Sequence, residues 1–184
     1  MTINTRSSVL FAFVVGALTL RLLPHPPNFS PILPLALFCG AHFDRKWAAF
    51  AVPLGAMLLS TIARELLFGN GLHEQLALVY ANFALATLVG LRLRGRPLAL
   101  PFAIATVLSI LFFCTTNFGV WASGLLYPRT AAGLLACFEA AIPFFGWNLA
   151  GNLFYTALLF GSWRLVELRL PRLAGASMPE AATS

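Results

Sequence analysis

The chain has 184 residues, of which 59% are hydrophobic and 10% charged, with a mean hydropathy of +0.83 and a formal net charge of +6. Soluble domains carry about 25% charged residues, so the composition excludes a water-soluble domain and points to an all-α integral membrane protein. Its 12 Lys and Arg are dispersed along the chain, unlike the concentrated patch of a nucleic-acid binder, so no nucleic-acid partner is expected.

The first apolar block, Ser8 to Leu23, runs into Arg21-Leu-Leu-Pro without a small-x-small cleavage site, and reads as a retained helix rather than a signal peptide. Ala12 and Gly16 lie four residues apart on it. Small pairs at that spacing let helix backbones approach closely, and on a helix with few other polar constraints this pair can present a flat face to another protein. Ala36/Gly40, Ala51/Gly55 and Ala86/Gly90 repeat the spacing and are expected to serve mostly internal packing.

RLLPHPPNFSP, Arg21 to Pro31, follows as a rigid loop. Its four prolines hold the backbone extended and so fix His25, Asn28 and Phe29. The next block, Pro31 to Phe43, falls short of the roughly 20 residues a spanning helix needs. It must borrow from its flanks or sit inside the bundle. A short basic turn, Asp44 to Lys46, leads to Trp47 to Ala63, then RELLFGNGLHEQ with its Gly-Asn-Gly turn, then Leu76 to Leu91. A second basic turn, Arg92 to Arg96, precedes Pro97 to Thr116.

TNFGVWASGLLYPRT, Thr116 to Thr130, is an aromatic connection longer than the roughly 2 to 8 residues that usually join helices. It is followed by a doubtful block, Gly133 to Gly146, interrupted by Glu139 and Pro143, and by a last span, Trp147 to Val166. Charge placement decides whether the doubtful block crosses, because cytoplasmic loops collect Lys and Arg. With six spans and both termini inside, nine of the 12 basic residues are cytoplasmic and Arg21, Arg64 and Arg129 are outside. A seventh crossing would split them evenly. The expectation is therefore a single six-transmembrane-helix bundle over residues 1–170, an extra short outer helix or re-entrant segment near 132–146, and a disordered cytoplasmic tail at 171–184.

Several chemistries lack their residues. Lys46 is the only lysine and no phosphate-cradling G-x-x-x-x-G-K-[ST] surrounds it; His73-Glu74 is followed by Ala77 where a zinc-protease helix needs its second His; no G-x-S-x-G occurs. Cys39, Cys114 and Cys137 show no C-x-x-C spacing and read as small packing residues. Glu65, Glu74 and Glu139 all map to the outer side, where the first two read equally well as a solvated rim. The chain is not expected to be an enzyme, and neither a cofactor nor a metal is expected.

The outer connections alone mix aromatic and polar side chains, as binding sites do, although Trp and Tyr also gather at interfaces for purely physical reasons. The expected site is an outward-facing pocket. Asn117, Trp121, Tyr127 and Arg129 would form a wall and lid, with His25, Asn28 and Phe29 opposite, Trp147, Asn148 and Asn152 at the base, and Glu139 nearby.

RLLPHPPNFSPILPLALFCGAHF, Arg21 to Phe43, together with TNFGVW, YPRTAAGLL and AIPFFGWNLAGNLFY, resembles a bacterial family of small, uncharacterised membrane proteins. That family is in turn similar to the substrate-capture (S) subunits of energy-coupling-factor vitamin transporters, and the resemblance covers Arg21 to about Gly161. It implies a six-helix bundle in the cytoplasmic membrane that takes up a small organic nutrient from outside. A transmembrane coupling protein with two ATPases would supply energy, and Ala12 and Gly16 stand where the contact with that partner is expected. The chain departs from its relatives in carrying Asn152 and Thr61 where carboxylates are frequent. Residue 2 is Thr2 rather than the His of metal-ion members, so metal uptake is disfavoured. The competing readings are a non-catalytic membrane assembly protein and an intramembrane enzyme using His25, His73 and Glu139.

Overall fold

The computed structural model describes residues 5–22, 26–69 and 75–170, and all of its regular structure is helical. His25, His73, Glu74 and the tail from 171 onward lie outside the described residues. Six helices follow one another: α1 Thr5–Leu22, α2 Ile32–His42, α3 Lys46–Phe68, α4 Leu76–Gly90, α5 Ala99–Ser123 and α6 Ala131–Arg169. Of these, α3, α5 and α6 are long and apolar enough to cross a membrane.

The short second block sits inside the bundle. All of Ile32 to Ala41 is buried, as suits a helix apolar on every side. Pro34 costs it nothing because it lies in the first turn, where backbone N–H groups have no intrahelical acceptor. Helix α2 packs chiefly on α4 and α3. It touches α4 at a backbone-to-backbone crossing: a Cβ on Gly40 would overlap the Thr87 carbonyl oxygen and lie 2.9 Å from the Gly90 Cα. Ala36 and Ala86 are fully buried. By contrast, Ala12 and Gly16 are exposed, and a Cβ on Gly16 or Gly55 would meet nothing within 4 Å.

The region near 132–146 corrects the sequence reading. It is neither a separate outer helix nor re-entrant, but the first half of the 39-residue helix α6. Its start is fixed locally: the Thr130 hydroxyl accepts from Gly133 N–H at 3.1 Å, and Gly133 has no room for a Cβ against the Pro128 carbonyl. Pro143 reads as a breaker, yet it removes only one ladder bond in a helix that packs along α5, for example where Cys137 Sγ donates to the Asn117 carbonyl. A five-residue π turn, Ala157–Gly161, widens α6 near its end, and Leu159, Phe160 and Trp163 are buried there. The preceding connection is also shorter than expected. Helix α5 continues to Ser123 and ends on Gly124, whose φ of 73° is the left-handed cap that glycine favours.

One end of the bundle is basic. Here Arg6 of α1 and Arg94 after α4 both donate to the His42 carbonyl at 2.9 Å, closing the C-terminal end of α2. Asp44 pairs with Arg94 at 2.8 Å and with Arg6 at 3.5 Å, and Arg6 also lies 5.9 Å over the Trp163 ring. The Trp163 indole donates to Glu167, which pairs with Arg164. The His42 ring packs among Phe38, Phe160 and Trp163. These contacts tie α1, α2, the α4–α5 turn and α6 together, and Phe13 stacked on Phe38 extends the tie along α1.

Candidate functional site

Helix α2 rises only about 16 Å from the basic end, whereas α3 and α5 run about 35 Å. Among the described residues no central helix continues into the opposite half of the bundle, and α4, α5 and α6 stand around the place where α2 begins. The loop entering α2 descends to this level. Pro26-Pro27-Asn28-Phe29 is a turn closed by Phe29 N–H on the Pro26 carbonyl at 3.1 Å. Asn28 takes a φ of 65°, the only positive φ of a non-glycine residue among the described residues. Proline followed by asparagine suits the two central positions of a type II turn.

The turn presses Phe29 onto α6. Gly151 makes the room, since a Cβ there would lie 3.0 Å from the Phe29 Cα. The Phe29 ring sits 5.7 Å from Phe154 and 5.4 Å from Tyr155. Beside it, Asn152 is almost wholly buried and its amide donates to Ser109 Oγ at 2.7 Å and to Asn148 Oδ1 at 3.2 Å. Ser109 in turn donates to the Ala105 carbonyl. A second pair, Asn82 amide to Thr115 Oγ1 at 2.9 Å, joins α4 to α5. Two further hydroxyls, of Tyr80 and Thr156, are buried without a hydrogen-bond partner. Asn148, Asn152 and Thr156 follow at four-residue spacing and share one face of α6. The floor that results is aromatic on one side and polar but uncharged on the other.

The residues expected from sequence divide into two groups. Phe29, Asn148 and Asn152 belong to the floor. Trp147 is half exposed one turn beyond Gly151 on the same face of α6, and Asn28 is exposed at the tip of its turn. Trp121, Tyr127 and Arg129 belong to the α5–α6 turn, which closes on itself: the Trp121 indole donates to the Thr130 carbonyl at 3.1 Å and Arg129 to the Ser123 carbonyl at 3.0 Å. Phe118 packs on Trp121. Asn117 donates to the Phe113 carbonyl, its own carbonyl accepts from Cys137 Sγ, and Glu139 is exposed. By helical rise, Arg129 stands about 30 Å from Asn152 along α6, so the two groups do not meet around one small molecule.

Sequence reasoning missed Ser109, Tyr155 and the Asn82–Thr115 pair. The signal available was a polar residue inside an apolar block, which in a membrane helix costs free energy unless it finds a partner. A shallow groove of about 320 Å³ opens elsewhere on the α5–α6 surface, lined by Cys114, Thr115, Phe118 and Phe138. Among the described residues, no three His, Cys, Asp or Glu side chains gather.

A family of unknown function, DUF6580, matches residues 1–173, and the chain belongs to that family. No curated protein and no solved structure matches it.

Proposed function

We propose that this DUF6580 member is a six-span membrane protein that captures a small organic nutrient at the end of the bundle opposite the basic turns, as a binding subunit for uptake. The observation that carries the reading is the floor at the level where α2 begins: half-buried Phe29 offers flat apolar contact and half-buried Asn148 an uncharged amide, and the buried Tyr155, Asn152 and Ser109 hold the two in place from below. A molecule entering from that side would meet the proline-rich turn first. The ligand suited to such a floor is vitamin-like, an uncharged ring bearing amide or hydroxyl groups, because a net charge would be desolvated there without a counter-ion.

In this reading both termini face the cytoplasm of a bacterial cell and the basic end lies on the inner surface of the cytoplasmic membrane, following the charge rule for loops. The bare face of α1 around Ala12 and Gly16 supports docking to a transmembrane coupling protein. ATP hydrolysis would then come from that partner's ATPases, as the lack of a phosphate loop requires. The same face also favours a second reading, a non-catalytic assembly protein whose work is done by its helix surfaces.

Mass spectrometry of small molecules released from protein purified in mild detergent separates the two. Capture predicts one organic compound at near-stoichiometric amount. Assembly predicts a copurifying membrane protein and no such compound under any growth condition.

A further inference from the structure

The two short basic turns, Asp44 to Lys46 and Arg92 to Arg96, are about fifty residues apart in sequence and are brought together by the Arg94–Asp44 pair at 2.8 Å. The second turn is wound tightly, with Arg92 N–H on Val89, Leu93 N–H on Gly90, Arg96 N–H on Leu93 and a φ of 72° at Gly95, so its three arginines project from one compact loop. The two turns together carry five cations and one carboxylate. That carboxylate is already shared between Arg94 and Arg6, and the other described acid at this end, Glu167, is held by Trp163 and Arg164. Among the described residues, Arg45, Lys46, Arg92 and Arg96 are exposed and have no carboxylate within ion-pair distance.

Apolar side chains border these charges. Trp47 is 67% exposed and Leu98 43% exposed, each one or two residues beyond a basic turn where α3 and α5 begin. An acidic soluble partner would leave both facing water. A phospholipid satisfies both halves of the surface, with headgroup oxygens for the guanidinium forks and glycerol and acyl carbons for the indole and the leucine.

We propose that the paired turns form a binding surface for the phosphate headgroup of an anionic phospholipid. It is independent of the nutrient site, which lies at the other end of the bundle. The role of these cations in setting orientation needs only their number, whereas a binding surface needs the two turns held side by side.

The test uses the full chain in nanodiscs of phosphatidylcholine and phosphatidylglycerol, with brominated acyl chains on one lipid at a time and tryptophan fluorescence as readout. Trp121→Phe and Trp147→Phe leave exposed Trp47 as the reporter beside buried Trp163. Brominated phosphatidylglycerol should quench more than brominated phosphatidylcholine at equal mole fraction. Neutralising Arg92→Gln and Arg96→Gln should cut the preference by about fivefold per charge, while Arg→Lys at both should retain most of it. Equal quenching by the two lipids, or a preference unchanged by neutralisation, overturns the proposal. Should the neutral variant fail to fold, the unneutralised reporter protein decides by salt: a preference that does not fall as ionic strength rises also overturns it. If inorganic phosphate abolishes the preference where chloride at matched ionic strength does not, the surface binds free phosphate and the lipid assignment fails.

Discussion

Replacing Gly40 with alanine probes the contact on which the bundle is built. The added Cβ would overlap the Thr87 carbonyl oxygen and lie 2.9 Å from the Gly90 Cα, and Gly90 mirrors the arrangement, its own Cβ meeting the Leu37 carbonyl and lying 3.1 Å from the Gly40 Cα. Both obstacles are backbone, so no side chain can swing aside. Helices α2 and α4 must separate by about 1 Å, opening gaps along Ala36 and Ala86, both now fully buried. Overpacking of this kind costs about 1 to 3 kcal/mol, and the lost contact along the crossing places Gly40→Ala at the upper end of that range. Gly16→Ala supplies the control: nothing lies within 4 Å of its Cβ, and alanine in a helix is favoured over glycine by up to about 1 kcal/mol. Thermal unfolding in a single detergent, followed by circular dichroism, should show a large fall for Gly40→Ala and no fall for Gly16→Ala. Equal behaviour of the two variants would refute the close crossing of α2 and α4.

Other outcomes follow from the same geometry. Ala12→Leu or Gly16→Leu should leave the melting temperature unchanged but abolish copurification of a membrane partner, because both positions are exposed; a fall in stability would show that the face is packed internally. Arg6→Ala removes the node joining α1 to His42, Asp44 and Trp163, and should speed deuterium uptake along α1 by tenfold or more, on the order of a 1.4 kcal/mol local loss, with α5 unaffected. Trp121→Phe removes one indole donor at an exposed turn and should lower stability by no more than about 1 kcal/mol. A tag placed after Pro171 should be labelled only in opened cells; labelling in intact cells would overturn the orientation.

Much of the bundle was legible in sequence, for reasons that differ by element. The length of Pro31 to Phe43 alone required a helix that could not span unaided, and burial on all sides is what its uniform apolarity demands. Small pairs at four-residue spacing announced close packing and set Gly16 apart, but only the fold could separate Gly40, jammed against Gly90, from Gly55, where an added Cβ meets nothing within 4 Å. The run near 132–146 misled because Pro143 and Glu139 look like interruptions when read locally, whereas the antiparallel support of α5 carries one helix through both. At the candidate site, Asn148, Asn152 and Phe29 were visible as polar or rigidly held residues. Trp121 and Arg129 looked like binding groups by the same criteria, yet they brace the α5–α6 turn, about 30 Å from Asn152 by helical rise. Ser109 gave only the weak signal of a polar residue in an apolar block, because a lone serine in an apolar helix usually donates to its own backbone, as it also does here.

The central claim is that a small molecule binds over the floor formed by Phe29, Asn148 and Asn152. It is tested most directly by quantifying the organic compounds released from wild type, Asn152→Leu and Trp121→Ala proteins purified in parallel and matched for folded fraction. The account predicts one compound at near-stoichiometric amount from wild type and Trp121→Ala, and at least a tenfold smaller amount from Asn152→Leu, about 1.4 kcal/mol or more of lost binding. Equal amounts from wild type and Asn152→Leu, or a loss confined to Trp121→Ala, would contradict it.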